Sequence, residues 1–148
     1  MESTILQQLD INLECSDCII QDKKVILKIS SNQHTITCPY CGKKSNKVHS
    51  TYQREIQDLP IQEKQTILLL NTRKMVCGNP ECQYKTFSER FDFVQPGGKK
   101  TKRLTEKILI TSSKLSAMNA SKLLASNSIH ASKSSICDLL KKNANSCG

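Results

Sequence analysis

The sequence predicts an α+β chain in which a small β-rich domain is followed by a helical segment. Three observations predict it. Closely spaced cysteine pairs stand at 38–41 and 77–82, β-branched runs dominate before residue 94, and apolar residues after 103 fall at helical spacing. Composition agrees with small units. Only 37% of the 148 residues are hydrophobic, 4% are aromatic and Trp is absent, which is little material for one large core. Domains so short of apolar surface are usually stapled by a metal or by disulfides, and eight cysteines offer the means.

No stretch approaches the ~20 apolar residues that span a bilayer. The start, Met1-Glu2-Ser3-Thr4-Ile5, lacks the basic and apolar parts of a signal peptide. A cytoplasmic chain with no membrane partner is expected, and in that compartment paired cysteines more often bind metal than form disulfides.

In order along the chain, residues 1–37 form a β-strand lead-in, with Val25-Ile26-Leu27-Lys28-Ile29-Ser30 as its clearest strand and Ser31-Asn32-Gln33 as a turn. Residues 38–93 form a cysteine-rich domain whose ribbon strands are Gln65–Leu70 and Arg73–Val76, with Pro60 closing an earlier segment. Residues 94–104 form a linker. It breaks at Gln95-Pro96-Gly97-Gly98 and carries Lys99, Lys100, Lys102 and Arg103. Residues 105–148 are helical. Leu104, Ile108 and Leu115 share a face with Thr105 as cap, a second helix runs from about 120 to 125, and a third starts after Ser132 and buries Ile136, Leu139 and Leu140.

The cysteines carry the sharpest chemistry. Cys38-Pro39-Tyr40-Cys41-Gly42 places two thiolates where one tetrahedral ion can take both. Pro39 stiffens the turn, and Gly42 can adopt the positive φ that points amides at the sulfurs. Cys77-Gly78-Asn79-Pro80-Glu81-Cys82 again places turn formers between its thiols. Two such pairs at the ends of a ribbon assemble four ligands, so Cys38, Cys41, Cys77 and Cys82 are expected to hold one structural Zn2+ in a zinc-ribbon-like domain. A rival pair, Cys15-Ser16-Asp17-Cys18, is separated from Cys38 by nineteen residues. Its gap lacks Gly and Pro, and strand alternation would send its two sulfurs to opposite faces. Four cysteinates leave no position for a catalytic water. His34, His49 and His130 stand alone, and only His49 is near enough to Cys41 to substitute as a ligand. Cys137 and Cys147 read as ordinary thiols.

Charge points to a polyanion. Residues 38–104 hold thirteen Lys/Arg against six Asp/Glu, and residues 105–148 hold six against two, whereas residues 1–37 are net acidic. A merely solvated basic surface would give the same sum, so the decision falls to motifs. Ala120-Ser121-Lys122-Leu123-Leu124, Asn127-Ser128-Ile129 and Ser132-Lys133-Ser134-Ser135-Ile136 fit a helix-turn-helix. Ile129 would plug the angle, Ser132 would cap the recognition helix, and Lys133, Ser134 and Ser135 would face DNA.

The chain resembles the N-terminal part of bacterial insertion-sequence transposases of the ISL-three family. The resemblance rests on the Cys38–Gly42 knuckle, Val48-His49-Ser50, Asp58-Leu59-Pro60, Arg73–Cys77, Asn79–Cys82 and Thr86-Phe87-Ser88-Glu89-Arg90, and continues through the helical tail. It implies a nucleoid-associated protein that binds double-stranded DNA at the terminal inverted repeats of a mobile element. An inverted target would favour a homodimer, although no heptad seam marks one. In that family, strand cleavage belongs to a later domain with three metal-binding carboxylates. After Arg103 this sequence offers only Glu106 and Asp138, so no catalytic residues and no cutting of DNA are expected of it. The alternative is a standalone zinc-ribbon and helix-turn-helix regulator that binds DNA or RNA. An enzyme using a reactive cysteine ranks last, because no base partner is evident and zinc takes the best thiols.

Overall fold

The structure, a computed structural model, describes residues 6–113 and 115–146, without the side chains of 143–146. The expectations at Met1–Ile5 and at Cys147 lie outside these residues. The fold is α+β, with a β-rich part followed by three helices.

The strands are β1 (Leu13–Ile20), β2 (Lys24–Ser31), β3 (Ile36–Thr37), β4 (Lys44–Ser45), β5 (Val48–Ile61), β6 (Lys64–Val76) and β7 (Thr86–Ser88). The main sheet has the order β1-β2-β6-β5. β6 is its spine. Its first half, Gln65–Asn71, lies parallel to β2, and its last residues, Lys74–Val76, pair antiparallel with β7. β5 runs antiparallel along nearly its whole length. The lead-in strands are therefore part of the sheet of the cysteine-rich domain. Alternating Val25, Leu27 and Ile29 on β2 meet Ile56, Leu68 and Leu70 and are covered by Phe91, Phe93 and Val94.

Two features of the sheet differ from the pattern in the sequence. Pro60 does not close a segment before the ribbon; it lies inside β5, where the register slips between Asp58 and Ile61. β5 is the last strand of the sheet path, so a missing N–H there is tolerated. A second slip, between Cys15 and Asp17, inserts one residue into β1. It corrects the expectation for Cys15 and Cys18, because the bulge shifts the two-residue alternation and both side chains pack against the main core.

The helices are α1 (Lys102–Ser112), α2 (Ala117–Ser126) and α3 (Lys133–Ser146). Leu104, Ile108, Ala120, Leu124, Ile129, Ala131 and Ile136 form their shared core, with Leu59 of β5 packed against it. α1 starts earlier than the sequence suggests. Thr101, not Thr105, is its cap and accepts from the Leu104 amide, so the helix ends before Leu115, which is exposed. α2 also starts earlier, with Ser116 accepting from the Asn119 amide.

The stretch 94–104, expected as a basic linker, packs against the sheet. Val94 pairs with Thr101, and Gln57 of β5 exchanges backbone hydrogen bonds with Lys99 and Thr101, at 2.9 and 3.0 Å. Buried Asp58 accepts from Thr101 Oγ1 at 2.7 Å and from Arg103 Nε at 2.8 Å, with a second contact from Arg103 Nη2. Gln57 also clamps the backbone of His130 between α2 and α3, donating from Nε2 to its carbonyl and accepting its N–H at Oε1, at 3.0 and 3.1 Å. The helices are thus bolted to the sheet by adjacent residues of one strand. No helix among the described residues is long and apolar enough to cross a membrane.

Candidate metal centre

The two knuckles are built alike. In the first, the Gly42 amide donates to Cys38 O, and the Cys38 amide donates to Lys43 O, each at 2.9 Å. Gly42 has φ +80°, the left-handed value that the tight return needs. In the second, the Cys82 amide donates to Asn79 O at 3.1 Å and the Cys77 amide donates to Lys85 O at 2.8 Å. In both, the first cysteine is pinned by a lysine carbonyl just beyond the second.

Strand pairing brings the knuckles together. β3 and β4 flank the first, while β6 leads into the second and β7 leaves it. Ser45 of β4 donates to Val76 O, and Glu89, just after β7, takes Arg73 Nε and Nη2 at 3.1 and 2.7 Å. The hydrogen bond from the Arg73 guanidinium to the Glu89 carboxylate raises the already high pKa of Arg73. A satellite core of Ile36, Cys38, Met75 and Phe87, with Cys77 and Cys82 against it, fills this end of the molecule.

The sulfurs of Cys38, Cys41, Cys77 and Cys82 all lie within 4.8 Å of one another, and those of Cys41 and Cys77 are 3.6 Å apart. Four sulfurs at ~2.3 Å from one tetrahedral ion stand about 3.8 Å apart, so the spacing suits a single zinc. The donor set suits it equally. Four soft thiolates select Zn2+ over hard, oxygen-seeking cations. The protons are already unevenly held. The Lys43 backbone and then the Asn79 side chain lower the pKa of Cys41 to about 6. At Cys77 the Asn79 backbone pulls the pKa down, but burial and protons shared with the neighbouring sulfurs outweigh it and push the thiol up to about 12. Zinc binding would draw off the protons that remain, since the metal takes its cysteine ligands as thiolates.

Residues 34–82 match the family model of the zinc-finger of transposase IS204/IS1001/IS1096/IS1165. The match runs from just before β3 to the last of the four cysteines. By this match the region is similar to the zinc ribbon of ISL-three-type transposases, and its four clustered cysteines suit one zinc ion. No curated protein and no solved structure matches the chain.

The remaining residues singled out in the sequence are placed unevenly. Lys99, Lys100 and Ser135 line one groove, together with Thr105, Asp138 and Lys142. Lys102, Lys133 and Ser134 are exposed. Arg103 is committed to Asp58 and is not a free cation. Ser132 accepts the Ser135 amide at 3.1 Å, at the start of α3. His49 contacts Ser50 and is not among the clustered ligands. Three residues with clear roles went unassigned from sequence. Asp58 and Asn79 lie in motifs that the sequence shows but gives no such task, whereas Gln57 offers no local signal.

Proposed function

We propose that this chain is a DNA-binding, non-catalytic N-terminal part of an insertion-sequence transposase, and that it recognises the terminal inverted repeats of its element. The observation that carries the reading is the groove in which Lys99 and Lys100 meet Ser135 and Lys142 of α3. Cations that attract phosphates there adjoin the helix that would read bases. The zinc ribbon matched by the transposase family lies in the same chain.

On this reading α2 and α3 are a helix-turn-helix. Support comes from Ile129, which is buried between them and donates its amide to Leu124 O at 2.8 Å. Ser128 supplies the turn with φ +63°, where Gly is more usual. Lys133, Ser134 and Ser135 are then the residues that face the major groove, and residues 105–148 act as one reading unit beside the zinc-binding unit 38–93. An inverted target would be met by two copies.

Binding of the zinc-loaded chain to a terminal repeat and to a shuffled duplex, across a salt series, tests this. Preference for the repeat is expected. Lys99→Ala with Lys100→Ala should weaken both duplexes alike and lower the salt slope by about two. Ser135→Ala should change the preference. Equal affinity for repeat and shuffled duplex at every salt concentration would remove the reading.

A further inference from the structure

The two knuckles also share a feature that the metal does not require. Each carries one tyrosine, Tyr40 between its cysteines and Tyr84 just after its second cysteine, and the two rings stack with centroids 3.7 Å apart and planes 16° from parallel. Each tyrosine is about half exposed as a residue, 48% and 50%. Neither belongs to the satellite core, which closes on Ile36, Cys38, Met75 and Phe87. The stack therefore leaves aromatic surface in water at the outer seam of the zinc end. Buried aromatics are core material, but an exposed, pre-stacked pair is a platform.

Its surroundings are basic. The guanidinium of Arg90 sits 5.5 Å from the centre of the Tyr40 ring. Lys43 and Lys85, the residues whose carbonyls close the two knuckles, are exposed, as is Lys44. Glu81 is the acidic residue within the same loops. Cations around an aromatic platform match a nucleic-acid strand, whose phosphates take the charges and whose bases offer π-faces. A duplex hides those faces inside its own stack. An unpaired strand presents them.

We propose that Tyr40 and Tyr84 form a second nucleic-acid contact, separate from α3, which stacks an unpaired base of a DNA strand while Lys43, Lys85 and Arg90 hold its phosphates. The proposal rests on the DNA-binding reading above and extends it to the zinc end. The site is pre-organised, since the zinc fixes both tyrosine-bearing loops and binding need not order them.

The test uses the full zinc-loaded chain and two probes, a blunt duplex and the same duplex with a short 3′ thymidine overhang. The overhang should be bound about tenfold more tightly, the size of one base–aromatic stack. Tyr84→Ala should abolish that gain and leave blunt-duplex affinity and zinc content unchanged, while Tyr84→Phe should keep the gain. In the wild-type chain, 5-iodouracil in the overhang should crosslink to Tyr40 or Tyr84 on irradiation. This decides the matter even if Tyr84→Ala loses its metal. Blunt duplex bound as tightly as the overhang, or crosslinks only elsewhere, would overturn this proposal alone. No binding to either probe would overturn it together with the DNA-binding reading.

Discussion

Asp58 and Arg103, 45 residues apart in sequence, meet in a two-pronged ion pair that fastens the hairpin to the first helix. Asp58 is nearly inaccessible, and its remaining acceptor capacity goes to Thr101, the cap of α1. One carboxylate therefore anchors the helix start twice, through its capping side chain and through a residue of its first turn.

Replacing Asp58 with Ala should destabilise the chain by about 2–3 kcal/mol, since it leaves Arg103 uncompensated and Thr101 without its partner. Asp58→Asn should cost less, because an oxygen remains for the Thr101 hydroxyl. Urea titration measures both. Adding Arg103→Met to Asp58→Ala should recover part of the loss. Independent, additive effects of the two changes would show that the pair does not couple.

Cys82→Ser should remove zinc without unfolding the whole β-rich part. The satellite core at the zinc end is separate from the core that β2, β5 and β6 share, so the metal's folding energy is spent locally. Hydrogen exchange should show lost protection at the Cys38, Gly42 and Cys77 amides and retained protection at Leu68 and Leu70. Uniform loss across the sheet would contradict two independent cores.

In zinc-stripped protein, iodoacetamide should find Cys41 first. With its pKa lowered to about 6, Cys41 is mostly thiolate at neutral pH, and labelling should fall about tenfold per unit below that value. Cys77, pushed up to about 12, keeps its proton and should label slowly even at mildly alkaline pH. Mass mapping against pH reads both. Equal labelling of the two thiols with an ordinary thiol profile would mean that the knuckles do not keep their shape without metal.

The turn between β5 and β6 offers a stabilising change. Gln62 and Glu63 both have positive φ, 50° and 63°, at the two-residue hairpin turn that usually takes Asn-Gly. Gln62→Asn with Glu63→Gly should raise stability by about 0.5–1 kcal/mol. The contact from Ser128 Oγ reaches the backbone carbonyl of residue 63, so it survives the exchange. The urea midpoint should rise with its slope unchanged.

The metal-binding half of the molecule was legible because its chemistry is local. Cysteine spacing, Pro39 and Gly42 determine a knuckle within five residues, and periodicity shows the strands that carry it. What could not be read was set at a distance. Thr101 looks like linker until Asp58, 43 residues earlier, is beside it. His130 has no evident partner until Gln57, 73 residues away, grips its backbone. One inserted residue at the β1 bulge reverses the facing of everything beyond it, and no two-residue pattern announces a bulge. The Gln62–Glu63 hairpin turn carries none of the usual turn residues, so β5 and β6 read as fragments and not as one long ribbon.

That ribbon sets a distance. β6 begins beside a second groove, in which its Gln65 and Ile67 face Lys99 and Lys100, and runs to the zinc end, and its 13 residues at ~3.3 Å each span roughly 40 Å. One turn of duplex DNA is ~34–36 Å. If both contacts proposed above are made, such a rod acts as a ruler: the two contacts would fall on the same side of the duplex about one turn apart. Hydroxyl-radical footprints would then appear as two protected patches with an open interval between them. A deletion inside the ribbon would alter that interval, and with it the length of site that the two proposed contacts could span.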